Sequence, residues 1–516
     1  MFETSVAVPT PRAPKWAKVV DHTRCIGCHA CSTACKSENE VPLSVHRTYV
    51  KYVEVGLFPQ ARRAFQVTRC NQCDDAPCVA ACPTAAMCQR TDGIVDFDKT
   101  SCIGCKACIA ACPYDAIFIN PADHSAEKCN FCAHRLDVGL EPACVVVCPT
   151  QALLVGDVHE AGSAVARIVQ REPVTVRRPE KETHPKLFYR GAHQATLDPL
   201  AARRPGGGLF MWSEQLAGIE RVVSGHPDHH NSSAAALLSY DVPHSAPWDW
   251  RVSLYTWTKG IAAGAYLVPL LLVALGVVAA DSTLWQWTAP VVAGAFLAAT
   301  GVLLIWDLEH PERFYFLFTR PQTRSWLVRG GWIVSGYAAV LVAHFAASLA
   351  GAASLASAAG LQRWLMLPGV PLAAGAAVYT AWLFAQARAR DLWQSPSLAP
   401  HLLVQALFAG AAVAVLAGVD GAAGAVTRWL LGGAGLAHLL LVAVETTVTH
   451  PTAHARLAVH EMTRGRYARF FAAGVALVAV AVLAPWLGAL AAIAGLAGLL
   501  AHEHAYVQAG QAVPLA

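Results

Sequence analysis

The chain has 516 residues, 55% of them hydrophobic, and a formal net charge of +4. That length allows two or three domains, and so small a charge excess excludes the broad basic surface that nucleic-acid binding uses. All seventeen cysteines lie between Cys25 and Cys148, and from about residue 251 the sequence turns Ala/Leu/Val/Gly-rich, with apolar runs near twenty residues. Runs of that length match the thickness of a bilayer core better than a large soluble interior.

The first residues, MFETSVAVPTPRAPKWAKVV, show no apolar h-region and no twin-arginine pair, so no secretory signal is expected. The cysteines then fall into four groups: CIGCHACSTAC (Cys25–Cys35), CNQCDDAPCVAACP (Cys70–Pro83), CIGCKACIAACP (Cys102–Pro113) and CNFCAHRLDVGLEPACVVVCP (Cys129–Pro149). Each opens on C-x-x-C and closes on C-x-x-x-C. Such grouping is unlike a disulfide framework, and zinc sites use two pairs rather than triplets closed by C-P. The first and third groups fit the bacterial ferredoxin run, with Lys36 where proline is usual. Three closely spaced thiolates wrap one cubane, and the fourth cysteine is expected to begin a helix pointing at a neighbouring cluster.

Motifs of this kind work in pairs. Pairing the outer two gives Cys25, Cys28, Cys31 with Cys148, and Cys129, Cys132, Cys144 with Cys35. The inner pair gives Cys70, Cys73, Cys78 with Cys112, and Cys102, Cys105, Cys108 with Cys82. Sixteen ligands then hold four 4Fe–4S clusters. Cys88 fits no motif and reads as a small buried apolar residue.

The spacing Cys35–Cys70 resembles the insert of the four-cluster, electron-wire subunits of molybdopterin oxidoreductases, over about residues 15–195. In that resemblance some relatives replace a motif-three cysteine with tryptophan and hold a three-iron cluster; Cys105 is present here, which implies a full 4Fe–4S cluster. The implied domain is 1–197, an α+β ferredoxin-like four-cluster fold. Residues 198–250, rich in Gly, Pro, Ser and His, read as a linker. Within it His226, His229 and His230 lack a ligand pattern and read as a solvated loop.

Eight spans are expected, at 254–279, 284–306, 330–350, 366–387, 400–419, 426–447, 468–484 and 487–508, with Pro485-Trp486-Leu487-Gly488 as the last turn. Seven is the count if that turn fails. The blocks YTWTKGIAAGAYL (Tyr255–Leu267) and WDLEHPERFYFLFTRPQTRSWLVRGGW (Trp306–Trp332), with AGQAVPL (Ala509–Leu515), resemble the NrfD/polysulfide-reductase membrane subunits. This covers residues 240–516, so 251–516 is expected to be an all-α quinone-interacting membrane bundle. In that family the anchor is usually a separate chain; here the two are fused.

With eight spans, the N-terminal domain, even loops and C-terminus share a side. That side carries twelve Lys or Arg near the spans, Arg251, Lys259, Arg313, Arg320, Arg324, Arg329, Arg388, Arg390, Arg456, Arg464, Arg466 and Arg469, against Arg363 and Arg428 opposite. The positive-inside rule puts the cluster domain in the cytoplasm, on an inner membrane.

Ionisable residues in spans are functional suspects. Lys259, Asp307, His310, Glu445, Tyr379 and His401 are the quinone and proton candidates, with Glu309 and Gln405 nearby; interfacial anchoring is the rival role. His344 and His438 raise a bis-histidine haem, but they are single residues on different helices and the resembled family generally lacks haem, so none is expected. The resemblance implies electron transfer between a separate molybdopterin-type catalytic subunit and menaquinone or ubiquinone. The alternatives are the wire and anchor of a quinone-reactive hydrogenase, or a non-enzymatic docking module.

Overall fold

The computed structural model describes residues 13–56, 59–202, 236–352 and 358–515. His226, His229 and His230 lie outside them.

The cysteine-rich half is built from small sheets and one-turn helices. A four-stranded sheet runs in the order Leu153–Asp157, Trp16–Asp21, Leu187–Arg190, Val174–Thr175, with only the central pair parallel. Two short hairpins, Met87–Gln89 with Val95–Phe97 and Ile117–Ile119 with Ala126–Lys128, flank the inner motifs. A three-stranded sheet joins Thr48–Val55 to Arg62–Arg69 and, on its other edge, to Leu237–Tyr240. That last strand falls within the stretch read as a linker. Leu238 is buried while Leu237 and Tyr240 are half-buried, and the strand pairs along Thr48–Val55, so this part of 198–250 is bound into the cluster domain.

Each cysteine group carries a short helix: Ala30–Glu38, Pro77–Ala81, Ala107–Ala111 and Ala143–Val146. The third cysteine of each group lies in its helix. In the second and third groups the fourth, Cys82 or Cys112, caps the helix end, so the expectation that the fourth cysteine begins a helix is corrected. The C-x-x-x-C spacing is one helical turn, and the prolines at 83, 113 and 149 prevent continuation. Lys36 replaces that proline in the first group, and there alone the helix runs on past Cys35 to Glu38. Cys88 is exposed rather than buried, because its hairpin turns the neighbouring Met87 inward.

Among the described residues, seven helices are long and apolar enough to cross a membrane: Trp250–Ala274, Leu284–Trp306, Trp326–Gly351, Gly360–Gln386, Leu398–Leu416, Gly421–Thr447 and Ala489–Ala512. Ala468–Val482 has fifteen residues and joins them only together with Ala453–Thr463, from which it bends by 69°. The chain is therefore a multi-pass membrane protein, with seven or eight spans among the described residues, and Gly488, at φ 54°, makes the final turn. The first and fifth spans cross at glycine: a Cβ on Gly264 would stand 1.8 Å from the Ala406 carbonyl, and one on Gly410 would stand 2.1 Å from the Gly264 carbonyl. Small residues in the first family block thus set a backbone-to-backbone contact.

The two halves are stitched together along one face of the bundle. The loop after the second span grips the inner cysteine motifs: Glu309 and His310 donate backbone N–H groups to Gly104 and Ile103, and Ser325 bonds the Ala81 carbonyl. Gln322 donates to the carbonyls of Val79 and Cys82, both at 2.8 Å. The C-terminal segment closes the seam, with Arg390 bonding the carbonyls of Gln511 and Val513, and Arg177 that of Leu515. Arg313 and Arg320 also bond cluster-domain atoms, Lys99, Cys102 and Ser101. Part of the charge bias seen in the sequence is therefore docking chemistry. The remaining arginines, Arg324, Arg329, Arg388, Arg456, Arg464, Arg466 and Arg469, still outnumber Arg363 and Arg428.

Candidate electron-transfer and quinone site

The cysteines gather as thiol groups drawn from distant parts of the chain. Cys25, Cys28, Cys31 and Cys148 line one void, and Cys82, Cys102, Cys105 and Cys108 line another. Cys35 faces Cys129, Cys132 and Cys144, and Cys112 faces Cys70, Cys73 and Cys78. Voids walled by thiols, which no side chain fills, fit iron–sulfur clusters.

Burial pushes most of these thiols up, Cys31 to about 11, but several sulfurs have partners that suit an anionic thiolate. Backbone N–H groups of Met87, Gly104, Ala126 and Ala152 point at Cys82, Cys102 and Cys148 sulfurs at 3.2–3.4 Å. Buried Arg69 lies 3.0 Å from Cys144 Sγ, with Lys18 at 3.8 Å. Burial alone would push the Cys144 thiol up, but Arg69 and Lys18 outweigh it and bring it down to about 7. Hydrogen bonds and opposite charge both favour the deprotonated sulfur.

The groups also form a line. Cys31 faces Cys144, Cys70 faces Cys129, and Cys78 faces Cys108, so each group abuts the next. One end is exposed at Cys28. The other lies against the membrane half, where Trp248 Nε1 donates to the Cys105 carbonyl at 3.2 Å.

Beneath Cys105 the sequence candidates separate into four places. Asp307 caps the second span, buried between Lys106 Nζ at 3.8 Å and Arg251 at 3.6 Å, and it faces Cys105. Burial raises its carboxyl to about 6 against the pull of those two cations. Beside it, Trp250 and Trp306 meet edge-to-face and are about half exposed on the bundle surface. His310 belongs to the seam: its Nε2 meets the Asp123 carbonyl at 2.9 Å and its Nδ1 meets Glu312 at 3.0 Å. Lys259 lies deeper, bonding the Ala377 carbonyl at 2.8 Å and Thr380 Oγ1 at 2.6 Å, with its ammonium 4.9 Å from the Tyr379 ring. Glu445 and His401 pair at 3.0 Å, and His401 meets His438 at 2.9 Å.

Two residues that sequence reasoning passed over complete this picture. Glu503, in the last span, faces Lys259, Thr256, Gln405 and His401. His502 packs against His438 and His401. Their signal was legible as charge within a span, but HEHAY lies near a helix end and reads as an interface. His344 packs instead on Trp285 and Tyr266, so it forms no axial pair with His438.

A membrane bundle carrying a docked, thiol-lined line of cluster sites defines the class: a membrane-anchored iron–sulfur electron-transfer protein. The polysulphide reductase NrfD family matches residues 240–514 and a 4Fe-4S dicluster domain matches 61–158. This protein belongs to the NrfD family, with an iron–sulfur electron-transfer subunit fused ahead of the membrane anchor. Its first half is similar to a tetrathionate reductase subunit of Salmonella typhimurium, 42% identical over 39% of this chain and 80% of the relative. It is equally similar to a polysulfide reductase chain of Wolinella succinogenes, 42% identical over 34% of this chain and 94% of that relative. The arsenate respiratory reductase iron-sulfur subunit ArrB of a Shewanella species is 33% identical over 33% of this chain and 94% of its own length.

Proposed function

We propose that this chain carries electrons between a separate catalytic subunit, of the molybdopterin type, and membrane quinone, through four 4Fe–4S clusters. The order of transfer follows the line of thiols: Cys25, Cys28, Cys31, Cys148; then Cys129, Cys132, Cys144, Cys35; then Cys70, Cys73, Cys78, Cys112; then Cys102, Cys105, Cys108, Cys82. The clusters supply one-electron redox chemistry when bound. The partner docks where Cys28 is exposed, beside the apolar Ile26, Val146 and Val147, all more than two-fifths exposed.

The observation that carries the quinone end is Asp307. It faces Cys105 and lies beside two tryptophans exposed on the bundle surface. A carboxyl near 6 exchanges a proton readily at neutral pH. Quinone chemistry needs such a group, close to the last cluster and reachable from lipid. Lys259 lies nine residues further into the first span than Trp250, roughly 13 Å by helical rise, and both its hydrogen bonds go to protein atoms. It reads as a support of the bundle more than as a quinone contact.

Membranes holding the complex test this. A quinol analogue should reduce the clusters, and Asp307→Asn should slow that reduction by on the order of 10²-fold while dithionite reduces them unchanged. Full quinol activity in Asp307→Asn overturns the site. The cluster domain is proposed to face the cytoplasm; a reporter fused after Ala516 should then be active only there. Molybdenum or tungsten in the purified complex supports the molybdopterin partner, and nickel would support a hydrogenase instead.

A further inference from the structure

Three histidines from three different spans meet inside the bundle, and the quinone reading above does not use them. His401, His438 and His502 come from the fifth, sixth and last spans and are 2%, 1% and 2% exposed. One nitrogen from each lies within 4.8 Å of the others. We infer that this trio is a binding site for a first-row transition-metal ion of the zinc class.

The surroundings are those of a metal-binding imidazole rather than of packing histidines. Glu445 Oε1 takes His401 Nδ1 at 3.0 Å and is itself held by Ser397 Oγ at 3.2 Å. That carboxylate fixes the ring so that Nε2 points into the trio, the usual arrangement behind a metal-ligating histidine. His502 Nδ1 is buried with no hydrogen-bond partner among the described residues. An unsatisfied polar atom at this depth costs free energy that an ordered ion removes. Phe408, Phe471 and Tyr506 pack against the rings and limit water.

Imidazole nitrogens suit zinc, copper or nickel, whereas calcium and magnesium take oxygen ligands. Zinc binds nitrogen at about 2.0–2.1 Å, and with three protein ligands it keeps a fourth position for water. His401 Nε2 and His438 Nδ1 share a proton at 2.9 Å without the ion. With the ion bound, the proton of His438 sits on Nε2, so that His438 Nδ1 and His401 Nε2 both turn their lone pairs to the metal. The second carboxylate facing the trio, Glu503, also faces Lys259, so one cation is already matched there. His401 and Glu445 then serve the ion and leave the set of quinone candidates.

The test uses the purified full-length complex, stripped with a chelator and reloaded with zinc alone. About one zinc per chain should be retained, with X-ray absorption showing nitrogen neighbours and no sulfur. His438→Ala and His502→Ala should each lower retained zinc at least tenfold, and Glu445→Gln should weaken it by about 10- to 100-fold. His344→Ala, outside the trio, should leave it unchanged. Cluster spectra report whether each variant is intact, and the wild-type absorption edge stands even if a variant fails to assemble. Zinc that is not retained, is bound by sulfur, or persists in the His438→Ala/His502→Ala double variant overturns the site and leaves the trio a hydrogen-bonded chain.

Discussion

The first and third cysteine motifs, CIGCHAC and CIGCKAC, are nearly one sequence with one backbone, yet they face opposite surroundings. Gly27 and Gly104 both adopt φ 69°, and His29 and Lys106 both adopt φ 60°. The isoleucine between the first two cysteines is 56% exposed as Ile26 and 1% exposed as Ile103. His29 packs on Tyr52 and Tyr240 of its own domain, whereas Lys106 reaches across to the Asp307 carbonyl at 3.2 Å and Glu309 Oε1 at 2.9 Å. The same cysteine cradle therefore serves as an open end and as a sealed one. What differs is which segment covers it, and in this fusion the membrane loop covers only the second.

Five measurements would break or sharpen that comparison. The largest effect is expected from Cys105→Ser, which removes a thiol of the sealed end. Quinol-driven reduction of the clusters should fall to background, while a reductant acting at the open end still reduces the remainder. Lys106→Met comes next, because it takes the nearer cation from part-buried Glu309 and leaves buried Asp307 to Arg251 alone. A loss of about 3 kcal/mol, the low end for a pair that is only partly buried, is expected, read as faster hydrogen exchange in the 307–325 loop; an unchanged rate would mean the seam does not depend on this pair.

The seam also has a pH dependence at His244, which bridges Asp115 and Asp241. Burial lowers its proton affinity, but the two carboxylates outweigh that and raise it to about 9. The folded form holds the proton more tightly than the unfolded chain does. The stabilisation is therefore complete below about pH 6.5 and is lost as pH rises through 9, by about 3 kcal/mol. Thermal stability of the detergent-solubilised protein should fall across that window, and His244→Gln should flatten the profile.

Smaller effects separate contact from charge. Trp248→Phe removes the donor to the Cys105 carbonyl, and a cost of about 1 kcal/mol is expected in a denaturation midpoint. Ile26→Asp should change stability by less than about 0.5 kcal/mol, yet it should weaken capture of the catalytic partner. Equal capture by this variant would move the docking surface away from Cys28.

The cysteine groups, the apolar spans and both family blocks were legible in the sequence because each is a local pattern: spacing along one turn, or apolar length against bilayer thickness. Even the longer first helix follows from one residue, Lys36 in place of proline. The exposure of Cys88, the strand hidden in the linker and the roles of the six quinone candidates were not. Asp307, His310, Lys259 and His401 look alike as ionisable residues near helix ends. Only the docked loop takes His310 into the seam and brings Asp307 beneath Cys105, and only helix crossing brings His502 and Glu503 to His401 and Lys259. The sequence by itself determined which chemistry the protein carries, because a thiol or an apolar run is a property of neighbours along the chain. Tertiary structure decided which thiol group meets the membrane and which imidazoles meet each other, because those distances depend on packing between residues far apart along the chain.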